Sequence, residues 1–206
     1  MVKQYPIAPA PNGIFESWQG EGHLRGFRQT FIRLAGCSVG CDECDTDYTK
    51  ERMMSAEQIA AEAWEKTNDR LRDRWVWITG GEPTDHDLSE LLTALKKRRF
   101  SICFATSESE RFAPPVDWLS VSPHDLNTKQ LYGNEIKLID GLNGLNLDEW
   151  VEEHPDHQTD FWYRYAQPLA SLGKECPESL KRCLAFVKAN PNWSLSRQDH
   201  IVWGNP

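Results

Sequence analysis

The chain has 206 residues, with 31 acidic and 23 basic side chains, a formal net charge of −8, and 11% aromatic residues. That is the length of one domain with enough apolar material for a core, and it is too aromatic for a disordered chain. The acidic balance argues against non-specific nucleic-acid binding, which wants a basic face. No apolar run reaches the roughly 18 residues of a membrane span. The start, Met1-Val2-Lys3-Gln4-Tyr5-Pro6, has no apolar signal-peptide core, so a cytoplasmic location is expected.

Residues 1–12 are rich in Pro and Ala and read as an extended lead-in. Ile14-Phe15-Glu16-Ser17-Trp18 begins as a short strand, and Gln19-Gly20-Glu21-Gly22 turns it. Taken by itself that turn reads as solvated, though its glycines would let a ligand approach closely. Thr30-Phe31-Ile32-Arg33-Leu34-Ala35-Gly36 is a second strand, β-branched and aromatic and closed by glycine. Arg33 is a charge inside an apolar run, so it either snorkels to the surface or meets an anion.

That strand feeds directly into Cys37-Ser38-Val39-Gly40-Cys41-Asp42-Glu43-Cys44, which holds three of the six cysteines of the chain. Thiols clustered in an unsecreted chain read as metal ligands rather than disulfides. Structural zinc and ordinary iron–sulfur sites take four protein ligands. Three close thiolates hold three irons of a 4Fe–4S cluster and leave the fourth open to a substrate. Asp45-Thr46-Asp47 follows at once, either a solvated turn or a set of oxygen ligands for a hard cation such as Mg²⁺. Cys103, Cys176 and Cys183 are scattered and read as buried small hydrophobes.

A helix is expected from Ser55, where Ser55 and Gln58 can form a capping box, and Asn68 to Arg74 reads as a loop. Trp75 to Thr79 is a buried strand running into Gly80-Gly81-Glu82-Pro83, whose glycines admit a ligand and whose Glu82 can accept from an ammonium group. Leu88 to Lys97 has helical period. Strands are expected at Phe100–Ala105, Trp118–Ser122, Glu135–Ile139, Phe161–Ala166 and Trp193–Ser196. Helices are expected at Leu147–Glu153 and from Pro177 to about Ala189. About six β–α steps imply a single α/β domain over residues 1–206. It would be a partial, open β/α barrel of about six parallel strands, too short for a closed eightfold barrel. Ligand loops should then gather at the C-terminal ends of the strands.

The C-x3-C-x2-C loop followed by Gly-Gly-Glu-Pro resembles the radical S-adenosylmethionine (SAM) superfamily. There the open iron chelates SAM, and one electron from the cluster releases a 5′-deoxyadenosyl radical. From residue 14 to the end, the chain is similar to the family of 7-carboxy-7-deazaguanine synthases. The similarity rests on Gln19 to Gly22, Phe31 to Cys37, Cys44-Asp45-Thr46, Thr79 to Pro83, Ser122-Pro123, Glu135-Ile136-Lys137, Gln167-Pro168 and the tail from Trp193 to Pro206.

The resemblance implies a lyase that contracts the ring of 6-carboxy-5,6,7,8-tetrahydropterin and releases ammonia, with a 4Fe–4S cluster on Cys37, Cys41 and Cys44. It implies Mg²⁺ at Thr46, and pterin contacts from Trp18, Gln19, Gly20, Glu21, Arg33, Thr79, His200 and Pro206. SAM would meet Glu43, Cys44, Asp45, Gly81, Glu82, Ser122, His124 and Gln167. A homodimer and a flavodoxin-like electron donor are also implied. Arg33 offers a fork suited to the substrate carboxylate. The α-carboxylate of Pro206, with an ordinary pKa of about 3.3–3.7, would be charged and could close the site from an ordered C-terminus.

The chain departs from the family at Ala105-Thr106-Ser107-Glu108, at Glu43 and at His124, where a lysine is usual. A glycyl-radical activase would keep the cysteines and Gly80 to Pro83 without needing Gln19 to Gly22. A non-catalytic iron–sulfur or zinc protein would need a fourth ligand. Cys103 sits too deep in its strand for that, which leaves His124.

Overall fold

The computed structural model describes residues 2–9, 12–41, 52–67, 74–107, 113–171 and 173–204. The strands are β1 (Gln4–Ile7), β2 (Ile14–Trp18), β3 (Arg28–Leu34), β4 (Arg52–Ser55), β5 (Trp75–Gly80), β6 (Ser101–Thr106), β7 (Trp118–Val121), β8 (Tyr132–Asp140), β9 (Asp160–Pro168) and β12 (Ser194–Leu195). Two more, β10 (Ala170–Ser171) and β11 (Lys174–Glu175), pair with each other alone. The helices are α1 (Ala56–Lys66), α2 (Ser89–Lys97), α3 (Leu147–Glu153), α4 (Pro177–Ala189) and α5 (Asp199–Trp203).

The main sheet runs in the order β12-β9-β8-β7-β6-β5-β3-β1-β4, with β2 also on β3. Seven strands from β3 to β12 are joined by six parallel pairings. This is the expected open, mostly parallel α/β sheet. Among the described residues helices cover only some crossovers: none lies between β6 and β7 or between β7 and β8. The lead-in differs from expectation too. Tyr5, Pro6 and Ile7 are buried, and β1 pairs antiparallel with β4 over four residues. A proline and a short run hide such a strand in the sequence.

Alternation sends successive side chains to opposite faces. Ile32, Ile78, Phe104 and Leu119 form one registered row on the outer face. There they join Ile59, Leu91, Leu95, Trp150 and Phe186 of the helices in the main core. Helix α1 begins where expected, with the Ser55 and Gln58 capping box formed in both directions. On the inner face, Phe31, Trp77, Cys103 and Trp118 make the matching row. They form a second, smaller apolar cluster. This aromatic layer lies on the same face of the sheet as the polar residues described below. Cys103 and Cys183 are buried as expected, but Cys176 is half-exposed because it precedes Pro177 at the mouth of α4.

Candidate active site

The site is built on the face of the aromatic layer, one alternation step nearer the C-terminal ends of the strands. Arg33 and Thr79 are direct partners across β3 and β5, so their side chains share the inner face. The Arg33 guanidinium carbon lies 5.1 Å from the centre of the Phe15 ring. Ser120, Glu135 and Tyr163 continue the polar row across β7, β8 and β9. Lys137 stands one step further along β8.

Three loops meet at the ends of β3 and β5 and beyond. Gly81 donates its N–H to the Leu34 carbonyl at 2.9 Å, which lays the Gly-Gly-Glu-Pro turn directly on the cysteine loop. Ser38 is fixed by Asp85: the backbone N–H donates to one carboxylate oxygen and the hydroxyl to the other, each at 2.8 Å. The Cys41 sulfur lies 2.9 Å from His124 Nδ1, and the Asn143 amide donates to it at 3.7 Å. Burial holds the His124 imidazole below its ordinary pKa despite Glu82 and Asp125 nearby. Cys37 and Cys41 are half-exposed and carry no disulfide. Among the described residues no cluster of three or more metal-ligating side chains is complete. The third thiol, Cys44, lies outside the described residues, as do Glu43, Asp45, Thr46 and Pro206.

Glu82 is almost wholly buried and already accepts five hydrogen bonds. Their donors are the Thr84 N–H and hydroxyl, the Thr106 hydroxyl, and the Ser107 N–H and hydroxyl. Its carboxylate therefore ties the ends of β5 and β6 together. Ser122 is half-buried just past β7, and its N–H donates to the Thr106 carbonyl at 2.8 Å. Gln167 is fully buried at the end of β9. Its carbonyl accepts from Ser196 at 2.8 Å, while its Nε2 has no partner. An unpartnered buried donor costs free energy unless something absent from the chain accepts from it.

Gln19 to Gly22 does not sit at the strand ends. It crosses the inner face of the sheet, where its path back to β3 closes through bonds from Gln19 to the Phe27 carbonyl and from Gly26 to the Gln19 carbonyl. Glu21 takes an ion pair from Lys137 and a 2.9 Å hydrogen bond from Gln198. Burial alone would raise its pKa, but Lys137, His200 and Gln198 outweigh that and bring it down to about 2. Gly22 donates to Ser196 at 3.0 Å, and the His23 N–H donates to Glu135 at 2.8 Å. The His23 ring stacks on Tyr163 with centroids 3.7 Å apart. The tail is tied to the same loop: Asp199 N–H donates to the Gly20 carbonyl, and Arg25 pairs with Asp199 at 2.8 Å. His200 packs on Gly20 so tightly that a Cβ there would lie 2.3 Å from its Nδ1.

The structure therefore brings Gln19, Gly20, Glu21 and His200 together, places Arg33 beside Thr79, and gathers Cys37, Cys41, Gly81, Glu82, Ser122, His124 and Gln167 at the strand ends. Trp18 stands apart. It is 46% exposed, pairs with Arg28 at the opposite end of β3 from the cysteine loop, and alternates onto the face of Ile14 and Glu16. Lys137, Glu135, His23, Ser196 and Gln198 escaped the sequence reading as site residues. The charged Glu135 and Lys137 inside an apolar strand were the available signal.

An open parallel sheet with a thiol loop laid on a Gly-Gly-Glu-Pro turn at its strand ends defines an enzyme of the radical SAM type. No family profile matches the chain. Curated relatives named 7-carboxy-7-deazaguanine synthase do. That of Escherichia coli (strain K12) is 33% identical over 230 residues, 96% of this chain and 97% of that protein. That of Neisseria meningitidis serogroup B is 39% identical over 197 residues, 91% and 89% of the two chains. That of Synechocystis is 30% identical over 212 residues, 99% and 95%. The crystal structure of QueE from Escherichia coli matches with a TM-score of 0.71 at 31% identity, over 95% of this chain and 94% of that one. The chain belongs to the 7-carboxy-7-deazaguanine synthase family.

Proposed function

We propose that the protein converts 6-carboxy-5,6,7,8-tetrahydropterin to 7-carboxy-7-deazaguanine with loss of ammonia, for queuosine and deazapurine biosynthesis in the cytoplasm. The observation that carries this reading is the contact of the cysteine loop with the Gly-Gly-Glu-Pro turn at the strand ends, on the sheet whose inner face the Gln19–Gly22 segment crosses.

The donor set fits the cofactors. Cys37 and Cys41 offer half-exposed thiols on a loop in which a Cβ at Gly36 or Gly40 would meet no atom within 4 Å, and Cys44 completes the trio in sequence. When bound, a 4Fe–4S cluster and SAM supply a one-electron cleavage that yields a carbon-centred hydrogen abstractor. Gly81 lets the backbone approach SAM, and the unpartnered Gln167 amide and Ser122 offer it hydrogen bonds. Glu82, with its acceptors engaged, acts by holding the two loops that frame SAM. His124, with Nδ1 2.9 Å from the Cys41 sulfur, would stand beside a bound cluster and could offer its imidazole to SAM.

Arg33 receives the pterin carboxylate and Thr79 hydrogen-bonds the ring beside it. Glu21, held ionised by Lys137, accepts from pterin N–H groups, and Gln19, Gly20 and His200 shape the same wall. The main chain at Trp18 leads into this wall, while its side chain lies elsewhere. Asp45, Glu43 and Thr46 would serve SAM and Mg²⁺, and Pro206 would close the site.

The bonds from Asp199 to Gly20 and from Gln198 to Glu21 support a role for the tail in that closure. No described helix is long and apolar enough to cross a membrane. Exposed Trp162 and Val202 give apolar surface for a second copy, so a homodimer is part of the proposal, with a flavodoxin-like electron donor. Anaerobic incubation with SAM, reductant, Mg²⁺ and the pterin should release one ammonia per substrate consumed; consumption of substrate without ammonia would overturn the reading.

A further inference from the structure

We propose that His124 and Asn143 clamp the sulfur of Cys41 by hydrogen bonding and thereby raise the reduction potential of the cluster. The proposal rests on the cluster assignment above. The two nitrogens come from separate elements: His124 follows β7, and Asn143 lies in the turn after β8. Both reach the one sulfur, at 2.9 Å and 3.7 Å.

Neither placement is incidental backbone. Asn143 adopts φ +49 between Gly141 at φ +89 and Gly144 at φ +80. This left-handed region is uncommon for a residue with a side chain, and asparagine tolerates it better than most. The turn thus holds the amide towards the cysteine loop. His124 follows Pro123, which is buried and fixes the chain leaving β7. Among the described residues no comparable donor reaches the sulfur of Cys37, so the two thiols differ in their surroundings.

In a cluster the Cys41 sulfur is a thiolate and carries no hydrogen. The contact then persists only with the hydrogen on His124 Nδ1, so the imidazole donates. The Asn143 amide can only donate. Each donor withdraws charge from the sulfur. Reduction adds an electron to the cluster, so the donors stabilise the reduced form more than the oxidised one. A less negative potential makes the cluster easier for an electron donor to reduce.

The test is a redox titration of the reconstituted cluster, followed by EPR and carried out without SAM. His124→Phe removes the main donor, His124→Gln keeps an amide N–H, and Asn143→Gly removes the amide while accepting the left-handed backbone. The midpoint of His124→Phe should move to more negative potential, that of His124→Gln should move less, and that of Asn143→Gly should move the same way by a smaller amount. Midpoints equal to wild type, or a shift to more positive potential, would overturn the clamp. So would weaker SAM binding with an unchanged SAM-free midpoint, because His124 would then act on SAM alone. If His124→Phe loses the cluster, His124→Gln and Asn143→Gly still decide the matter. Failure of the wild-type chain to hold any 4Fe–4S cluster would instead overturn the functional reading beneath the proposal.

Discussion

Gly81 lies against Gly36 so closely that a Cβ on it would stand 1.5 Å from the Gly36 carbonyl oxygen. The two loops that define the chemistry therefore share one backbone contact. A side chain at residue 81 must push the cysteine loop away. Gly81→Ala is expected to lower the iron bound per chain several-fold after reconstitution, while far-ultraviolet circular dichroism stays like wild type. Iron and sulfide assays check this, and full cluster loading would show that the contact is dispensable.

The Glu21 and Lys137 pair predicts an acid-sensitive fold. Glu21 is ionised down to about pH 2 in the folded chain, against an ordinary value of 4.5. Its contribution to stability is present above pH 4.5 and is lost as pH falls through that value towards 2, as the unfolded chain takes up the proton first. The contribution is up to about 3 kcal/mol. Glu21→Gln removes the carboxylate that pairs with Lys137 and should cost roughly 3 kcal/mol at neutral pH, with a flatter acid limb. Urea unfolding across pH measures both.

Arg33 beside Thr79 predicts a selective loss of affinity. Arg33→Gln should raise KM for the carboxylated pterin by roughly 10- to 100-fold, the worth of a hydrogen bond to a charged group. SAM binding, followed separately by EPR, should be unchanged. A variant that loses both equally would mean that Arg33 braces the site rather than binding substrate.

Ser55 tests the fold away from the chemistry. Its hydroxyl accepts from the Gln58 N–H, and the Gln58 side chain accepts from the Ser55 N–H at 2.8 Å. Ser55→Ala should cost about 1 kcal/mol in urea unfolding and leave cluster loading unchanged.

The parts of the molecule that local chemistry decides could be read from the chain. The capping box at Ser55, the proline opening α4 and the strand from Trp75 are local patterns, and each stands within a residue or so of its expected place. The cysteine loop and the Gly-Gly-Glu-Pro turn were legible because their spacing is a chemical requirement. Their mutual contact was not, since Gly36 and Gly81 meet only through the parallel pairing of β3 and β5. The strand β1 was hidden because its burial comes from β3 and β4, far along the chain. The crossing of Gln19 to Gly22 over the inner face was hidden for the same reason. Its partners are Lys137, Ser196 and Gln198, with Glu135 holding the adjoining His23 N–H, all more than a hundred residues away. Trp18 shows the opposite case: Gln19 to Gly22, next to it in sequence, cross the inner face, and strand alternation alone turns the Trp18 side chain away.

The central claim is that this one site contracts a carboxylated pterin. The most direct measurement is mass spectrometry of the products after anaerobic turnover with SAM, reductant, Mg²⁺ and 6-carboxytetrahydropterin, for the wild-type chain and for Cys37→Ala. The account predicts 7-carboxy-7-deazaguanine from the wild type and none from Cys37→Ala. Cleavage of SAM to 5′-deoxyadenosine with no deazaguanine would contradict it, and would leave a radical SAM enzyme whose substrate is a different molecule.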